Sequence, residues 1–211
     1  MIQLFGSANT KSFNTLKIRF ALAEIGVAYQ FTPVDLAKGE SRTAQFLRIN
    51  PHGKVPVLLD DDFALPESDA ILWYLAEKYP GAKLLPRLDG SDSLQARAQI
   101  LRFLDVASTA VYPAYSDWWN ATNSDDPAKR NPAAADAALA KVTRALGVLE
   151  KTLAASDHLV GAFSLADVAL ASIIFSLKRR LPNDPLAGLE RTRAWYERVT
   201  ARPAWRVVST D

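Results

Sequence analysis

The sequence lacks cysteine altogether, and it holds only one methionine and two histidines in 211 residues. Without a thiol there is no disulfide, thiolate metal site or cysteine nucleophile, so we expect no metal, and any sulfur chemistry must come from a ligand. The 25 lysines and arginines nearly balance the 23 acidic residues, so no long-range field favours nucleic acid or anionic membranes. No apolar run approaches the ~20 residues of a membrane span, and a signal-peptide pattern is missing. We therefore expect a cytoplasmic protein with neither a nucleic-acid nor a membrane partner.

The first 80 residues alternate between strand and helix patterns. Gly26 ends the first helix pattern, where a left-handed residue is favoured. This order predicts an α/β unit with a mixed sheet whose last two strands form a hairpin. The predicted strands are Ile2–Phe5, Ala28–Val34, Val55–Leu59 and Phe63–Leu65, with helices after the first strand, at Ser41–Arg48 and from Glu67.

The rest of the chain shows only helical periods, so we predict domains at 1–80 and 92–211 with a linker at 81–91. Within the second domain, Ser164 and Asp167 have the spacing of a capping box, with Asp in place of the usual Glu. The residues after this start, Leu165 to Phe175, are apolar nearly all round. Such a pattern predicts the central buried helix of a helical domain.

The stretch GSANTKSFNTLKIRFAL, from Gly6 to Leu22, carries more polar groups than one helix start needs for capping. Two further stretches also combine turn residues with polar groups. In NPHGKVP, the Val55-Pro56 pair is a place where a cis peptide is expected, although a proline can also simply begin a strand. In LPESDAILWYL, Glu67 and Ser68 begin a helix, where free N–H groups attract a carboxylate or are capped by the serine itself.

Four motifs span nearly the whole chain. In order, they are SxNxxK at Ser12 to Lys17, NPHGKVP at Asn50 to Pro56, LPESDAILWYL at Leu65 to Leu75 and FSLADVAL at Phe163 to Leu170. With them the chain resembles the cytosolic glutathione S-transferases, in particular bacterial members of the serine type. The resemblance implies a thioredoxin-like α/β N-terminal domain, an all-α C-terminal domain and a homodimer. It also implies glutathione as co-substrate, bound mostly by the first domain.

The resemblance assigns a glutathione site within the first domain. Ser68 and its N–H would hold the γ-glutamyl carboxylate, Glu67 would face the γ-glutamyl amino group, and the Val55 backbone would pair with the cysteinyl unit. A cation at Lys54 suits the glycyl carboxylate, although exposed turns also carry such residues for solubility. The implied binding residues are His52, Lys54, Val55, Pro56, Glu67 and Ser68.

Catalysis requires the glutathione thiol to ionise, and a free thiol with a pKa of about 8.5 is mostly protonated near neutral pH. A donor at a helix start stabilises the thiolate. Ser12 matches the catalytic serine of the serine-type classes, and Asn14 matches an asparagine that accompanies it in bacterial members. The stretch LFGS has no tyrosine, so the tyrosine-type assignment does not apply. Ser7 and Thr10 remain alternatives for the sulfur contact, and simple N-capping remains an alternative role for Ser12 and Asn14.

The electrophile is expected to bind between the two domains, as in the family. An aromatic cluster there makes Val111, Tyr112, Tyr115 and Trp119, together with Trp118, candidates for an apolar pocket wall, although core packing explains each one equally well. The leading hypothesis is a glutathione transferase that attacks a small hydrophobic electrophile in detoxification. The alternatives are a glutathione-dependent disulfide or peroxide reductase and a binding module of the same fold without catalysis.

Overall fold

The computed structural model of the chain describes residues 1–9, 12–88, 93–123 and 126–209, apart from the side chain of Lys129. The chain divides into two compact units, one from Leu88 to Val199 and one from Met1 to Arg87 together with the described residues from Thr200 onward. A mixed four-stranded sheet lies in the first unit, and the second is helical, which confirms the predicted fold class. The domain limits of 1–80, 81–91 and 92–211 stay a prediction. The described segment from Thr200 onward, which those limits assign to the helical domain, belongs to the first compact unit.

The regular elements follow the order that the sequence patterns predict. In chain order they are β1 (Ile2–Ser7), α1 (Phe13–Ile25), β2 (Tyr29–Val34), α2 (Ala44–Ile49), β3 (Val57–Asp60), β4 (Phe63–Pro66), α3 (Ser68–Lys78), α4 (Ser93–Asp105), α5 (Tyr112–Thr122), α6 (Pro132–Thr152), α7 (Leu165–Lys178), α8 (Glu190–Thr200) and α9 (Pro203–Ser209). Short 3₁₀ turns lie at Glu40–Arg42, Pro80–Ala82 and Pro127–Lys129.

The sheet has the strand order β2-β1-β3-β4, with β1 and β2 parallel and the other two pairs antiparallel. Pro33 lies in β2, an edge strand, where its missing N–H interrupts no ladder on the outer side. Strand β1 runs beyond the predicted end at Phe5, because Gly6 pairs with Pro33 and Ser7 with Val34. The apolar run alone could not show this extension, since Gly6 carries no side chain.

Helix α1 ends where the sequence predicts. Gly26 has a φ of 75°, and its N–H donates to the Leu22 carbonyl over 3.0 Å. Helix α9 packs on α1 through an edge-to-face contact between Phe20 and Trp205, whose ring centroids lie 5.0 Å apart. These contacts attach the C-terminal segment to the first unit and hold the helix on which the candidate site begins.

In the second unit, nearly every residue of α7 is buried, as the apolar pattern predicts. The reciprocal contacts of a capping box join Ser164 and Asp167 at its start. The sequence did not reveal a π-helical segment, Val106–Val111, that separates α4 from α5. Because the ring of Pro113 would clash with the carbonyl four residues earlier and lacks an N–H, a widened turn just before it accommodates the proline.

Candidate active site

Ser12 lies immediately before α1 and is its N-cap residue, with extended backbone at φ −76° and ψ 103°. Its carbonyl accepts the Leu16 N–H over 2.9 Å, so the backbone of Ser12 starts the helix. Its hydroxyl makes no capping hydrogen bond to the helix, and the side chain is only partly buried. A serine at this position normally caps with its side chain. Here the hydroxyl is not used for capping, and it is placed at the positive end of the helix dipole.

The starts of α1 and α3 are joined by side chains that come from two of the sequence motifs. The Ser68 hydroxyl donates to the Asn14 amide oxygen over 3.0 Å. One turn further along α1, the Lys17 ammonium group donates to the Asp69 carboxylate over 2.6 Å. The SxNxxK loop and the Glu-Ser-Asp helix start therefore form one group of side chains in the first unit.

Lys17 is almost completely buried, with 1% of its surface exposed. Burial lowers the pKa of Lys17, while the charge and hydrogen bond of Asp69 and the charge of Glu67 oppose that shift. A buried ammonium group needs such a partner, because an unpaired charge is costly to remove from water. The pair therefore fixes the first turns of α1 and α3 against each other.

Glu67 precedes α3 in an unusual backbone conformation. Its φ is 69°, a value in the left-handed region that residues with a side chain rarely adopt. Its carbonyl accepts the Ile71 N–H over 2.9 Å, and its exposed side chain makes no capping hydrogen bond. Backbone strain of this kind is concentrated at functional sites. The first N–H groups of α3 have no carbonyl within the helix to pair with, so they can bind an anion. The carboxylate site predicted there stays a prediction.

The turn before β3 carries the other predicted binding residues. The Val55–Pro56 peptide is cis, as expected, and β3 begins only at Val57, so Val55 lies just outside the ladder. The buried Asn50 holds the turn by donating from its amide to the Lys54 carbonyl over 2.7 Å and accepting the His52 N–H over 3.1 Å. The side chains of His52 and Lys54 are exposed.

A cavity of about 130 Å³ lies beside Ser12. Its polar lining comes from Ser7, Asn9, Ser12, Thr15 and Arg19, and its apolar lining from Ala8, Leu16 and Phe31. Ser7 is buried, and its hydroxyl accepts the Asn9 N–H over 3.1 Å. That contact does not use the hydroxyl proton, so Ser7 stays an alternative to Ser12. Thr10, the other alternative, lies outside the described residues.

The predicted pocket residues lie on the π-helix and α5 in the second unit. Val111 and Trp118 are buried, Tyr115 is half-buried, and Tyr112 and Trp119 are 42% and 44% exposed. Trp118 belongs to a packed cluster with Ala135 and Ala138 of α6, against which Tyr115 also packs.

The Arg180 guanidinium lies 5.7 Å from the centre of the Tyr115 ring and 6.0 Å from that of the Trp119 ring. Burial raises the pKa of Tyr115, and Arg180 opposes that shift. The structure thus brings Tyr115 and Trp119 together around a cation, while Val111 faces the interior of its unit.

Comparison with known proteins agrees with the motifs. The family model described as "Glutathione S-transferase, N-terminal domain" matches residues 7–77, and the one described as "Glutathione S-transferase, C-terminal domain" matches residues 125–203. The chain belongs to the glutathione S-transferase family.

Curated members of this family align with most of the chain. Glutathione S-transferase F10 of Arabidopsis thaliana is 34% identical over 205 residues, which cover 89% of this chain and 88% of the relative. Glutathione S-transferase GstB of Escherichia coli K12 is 32% identical over 212 residues, with 99% and 97% covered. The chain is therefore an enzyme of this family.

Solved structures of the family have the same fold. The theta-class enzyme of Xanthomonas axonopodis pv. citri, solved with glutathione bound, superposes with a TM-score of 0.85 at 30% identity, covering 100% of this chain and 97% of that one. The transferase URE2P6 of Phanerochaete chrysosporium, in complex with oxidized glutathione, gives a TM-score of 0.87 at 25% identity, with 98% and 94% covered.

Sequence reasoning did not assign three features around Ser12. Thr15 is buried in the first turn of α1, and its spacing of three from Ser12 would have indicated a shared face. The Lys17–Asp69 pair joins the SxNxxK motif to the helix start at Glu67 and Ser68. Gly6 is required by close packing, since a Cβ atom there would lie 2.5 Å from Cγ2 of Thr15. No local pattern signals such a contact.

Within the described parts of the chain, no group of three or more His, Asp or Glu side chains is placed to hold a metal ion. None of the described helices is long and apolar enough to cross a membrane.

Proposed function

We propose that the first unit binds glutathione and stabilises its thiol as a thiolate at Ser12, for attack on a small hydrophobic electrophile. The observation that carries this proposal is the Ser12 hydroxyl, which stands at the start of α1 without capping it. A hydroxyl donor and a helix N-terminus both favour the charged form of a bound thiol. The thiol proton passes to water, the sulfur forms a bond to carbon, and the leaving group departs with its electron pair.

Asn14 is the proposed second donor at the sulfur. Its amide oxygen accepts the Ser68 hydroxyl, so its NH₂ group is the part that can donate to a ligand. Ser68 is proposed to bind the γ-glutamyl carboxylate through its hydroxyl and the N–H groups at the start of α3. To do so, the hydroxyl must turn from Asn14 to the carboxylate. Binding of the γ-glutamyl end would then release Asn14 to turn toward the sulfur.

The other glutathione contacts follow the same assignment. The backbone of Val55, beside cis-Pro56, would pair with the cysteinyl unit, and its position before the start of β3 supports this. Glu67 would face the γ-glutamyl amino group, with its exposed carboxylate beside the start of α3. His52 and Lys54 are exposed on the neighbouring turn and would meet the glycyl carboxylate.

The electrophile is proposed to contact the exposed aromatic side chains of the second unit, Tyr112 and Trp119, with Tyr115 beside them. Aromatic faces of this kind suit small apolar substrates. Val111 is buried and would support this wall from behind. The chemical class of the electrophile is not assigned. Substrates of conjugation, dehalogenation and isomerisation are the alternatives.

Reduction of disulfides or peroxides is the second candidate reaction. Because the chain has no cysteine, two glutathione molecules would have to supply both thiols. With a disulfide, the first thiolate would form a mixed disulfide and release one thiolate, and the second would displace the other to give oxidized glutathione. With a peroxide, the first thiolate would cleave the O–O bond to give a sulfenic acid and an alcohol or water, and the second glutathione would condense with the sulfenic acid to give oxidized glutathione and water. The URE2P6 structure, with oxidized glutathione bound, is consistent with such a product fitting this fold.

We also propose a cytoplasmic homodimer with a role in detoxification. Leu94 and Leu101 lie on one face of α4, seven residues apart, and are 68% and 46% exposed. Large exposed apolar side chains that share a face are typical of a protein interface. Light scattering should therefore give twice the chain mass, and Leu101→Glu should shift the protein toward the monomer.

The test of the thiolate proposal is an ultraviolet difference titration of bound glutathione, in the wild-type protein and in Ser12→Ala. Wild type should lower the thiol pKa well below its free value. Ser12→Ala should raise it again and reduce turnover of a model aryl halide, while glutathione affinity stays within about threefold. Turnover and thiol pKa that survive Ser12→Ala would transfer the role to Asn14, Ser7 or Thr10.

Ser68→Ala is the matched test of the binding site. It should weaken glutathione binding, measured by calorimetry, about tenfold, because a hydrogen bond to a charged group is lost. Intact affinity in this variant would remove Ser68 from the γ-glutamyl site. A panel of electrophiles, disulfides and peroxides then distinguishes transfer from reduction.

A further inference from the structure

Thr15 connects Ser12 to the backbone of the sheet. It lies in the first turn of α1, with 4% of its surface exposed. Its hydroxyl oxygen accepts the Ser7 N–H over 2.9 Å and the Ser12 hydroxyl over 3.4 Å. Ser7 is the last residue of β1, so a single hydroxyl joins the end of the strand to the proposed thiolate donor.

The donor and acceptor capacity of the Thr15 hydroxyl determines which hydrogen bonds it can make. A hydroxyl has one proton to donate and two lone pairs that accept. In the structure both lone pairs are used, because Thr15 Oγ1 accepts from the Ser7 N–H and from the Ser12 hydroxyl. If the Ser12 proton turns to a bound sulfur, the Thr15 proton can be given to the Ser12 oxygen and the contact between the two hydroxyls is kept. A hydroxyl that accepts a hydrogen bond becomes a stronger donor.

Thr15 is also held firmly in place. A Cβ atom at Gly6 would come within 2.5 Å of the Thr15 methyl carbon and within 2.7 Å of the Phe31 ring. The glycine therefore lets the threonine lie directly against β1. Because backbone groups fix both the hydroxyl and the methyl group, the side chain has little freedom to turn away from Ser12.

We propose that Thr15 is a positioning residue that orients the Ser12 hydroxyl toward the sulfur of bound glutathione. The inference rests on the proposed function of Ser12 and adds a residue to it. The competing role is purely structural: Thr15 would attach α1 to β1 without influencing Ser12. The two roles predict different results when Ser12 itself is removed.

A double-mutant cycle separates these roles. The variants are Thr15→Val, Ser12→Ala and the combination, each assayed with glutathione and a model aryl halide and titrated for the bound thiol. Thr15→Val keeps the shape of the side chain but removes its hydroxyl. It should lower kcat about threefold to tenfold, as expected for one lost hydrogen bond, and raise the pKa of the bound thiol. The KM for glutathione should change by less than about twofold.

In the Ser12→Ala background, the same Thr15 change should have no further effect on kcat or on the thiol pKa, because the two residues act as a unit. Thr15→Ser retains the hydroxyl and should restore most of the loss. Thr192→Val, at a buried threonine of the second unit whose hydroxyl donates to Glu150, is the matched control and should leave the thiol pKa unchanged.

Equal losses from Thr15→Val in both backgrounds, or a thiol pKa that does not move, would overturn the inference. If Thr15→Val does not fold, Thr15→Ala and Thr15→Ser carry the same comparison, and equal thiol pKa values in those two would also overturn it. A failure of the proposed function is visible separately, since Ser12→Ala alone would then leave kcat and thiol pKa at their wild-type values.

Discussion

Helices α1 and α7 both begin with a serine N-cap, yet the two serines are used differently. At α7, the Ser164 N–H and hydroxyl both donate to the Asp167 carboxylate, over 2.9 and 3.2 Å. That carboxylate is fully buried and also accepts from the Trp195 indole over 2.6 Å. At α1, the residue three positions after Ser12 is Thr15. Its hydroxyl accepts a hydrogen bond from the Ser7 N–H and none from the Ser12 N–H.

The difference shows how the same local pattern serves stability in one place and leaves a group available in another. The polar groups of Ser164 are engaged by the acid that follows it, inside a helix with almost no exposed side chains. Ser12 has no acid to engage it, and its side chain is only partly buried. An N-cap serine whose hydroxyl does not cap is therefore a better candidate for ligand contact than one in a complete capping box.

The largest effect on the free energy of unfolding is expected at Asp167, whose carboxylate accepts several hydrogen bonds at the start of α7. Asp167→Ala should lower the free energy of unfolding by about 3–5 kcal/mol, since it leaves several buried donors unpaired. Urea unfolding followed by circular dichroism measures this loss. Asp167→Asn, of nearly equal size, tests how much of the loss is due to charge. A loss below about 1 kcal/mol would show that the capping box does not stabilise α7 as argued.

Gly6→Ala tests the packing that brings Thr15 to β1. The added methyl group must displace the Thr15 methyl or the Phe31 ring, so we expect a loss of about 1–3 kcal/mol in the free energy of unfolding. Gly147→Ala is the control, because it lies within α6 and a Cβ atom there meets nothing within 4 Å. That change should stabilise the protein by up to about 1 kcal/mol. Similar effects of the two changes would contradict the close approach at Gly6.

Asp184 is a second engaged carboxylate of the helical unit, but about a third of its side chain is exposed. Burial alone would raise its pKa, and hydrogen bonds from Lys178, the Leu186 N–H and Arg193 outweigh that and lower the pKa from 3.8 to about 2. Because the folded-state pKa is depressed, the stabilisation is complete above about pH 4 and is lost as the pH falls toward 2.

After discounting for solvent screening, the contribution of Asp184 at neutral pH is about 1 kcal/mol. Asp184→Asn should lose this amount at pH 7 and differ little from wild type near pH 2, as measured by urea unfolding across that range. A difference between the two proteins that stays constant with pH would contradict the assignment.

The smallest expected effect on the free energy of unfolding distinguishes Ser12 from Ser164. Ser164→Ala should cost about 1 kcal/mol in the free energy of unfolding, as for other lost caps. Ser12→Ala should change stability by less than about 0.5 kcal/mol, although Ser12 is also an N-cap residue. The same unfolding measurement applied to both variants is the check. Equal losses would mean that the Ser12 hydroxyl stabilises the helix after all.

Much of the fold could be predicted from local patterns. The strand and helix order, the glycine stop at Gly26, the capping box at Ser164 and the burial of α7 follow from spacing and residue type, and the structure confirms them. The π-helix before Pro113 was not foreseen, because apolar spacing does not distinguish a widened turn from a regular one. The end of β1 was underestimated, because pairing with β2 and not side-chain character carries the strand to Ser7.

The candidate site was foreseen in part. Ser12, Asn14, Glu67 and Ser68 were named from their motifs, and the structure brings Asn14 and Ser68 into contact. Their roles toward glutathione stay predictions. Thr15 and the Lys17–Asp69 pair were not assigned, since each depends on a partner from another element.

The family, the positions where helices start and stop, and the absence of a protein thiol follow from the amino-acid sequence alone. These properties depend on residue identity and short-range spacing, which the chain carries before it folds. Three features become visible only in the folded chain: the Ser12 hydroxyl does not cap its helix, Ser68 donates to Asn14, and Thr15 packs against Gly6. Those contacts join residues that are distant in the chain or lie on different elements, so packing decides them.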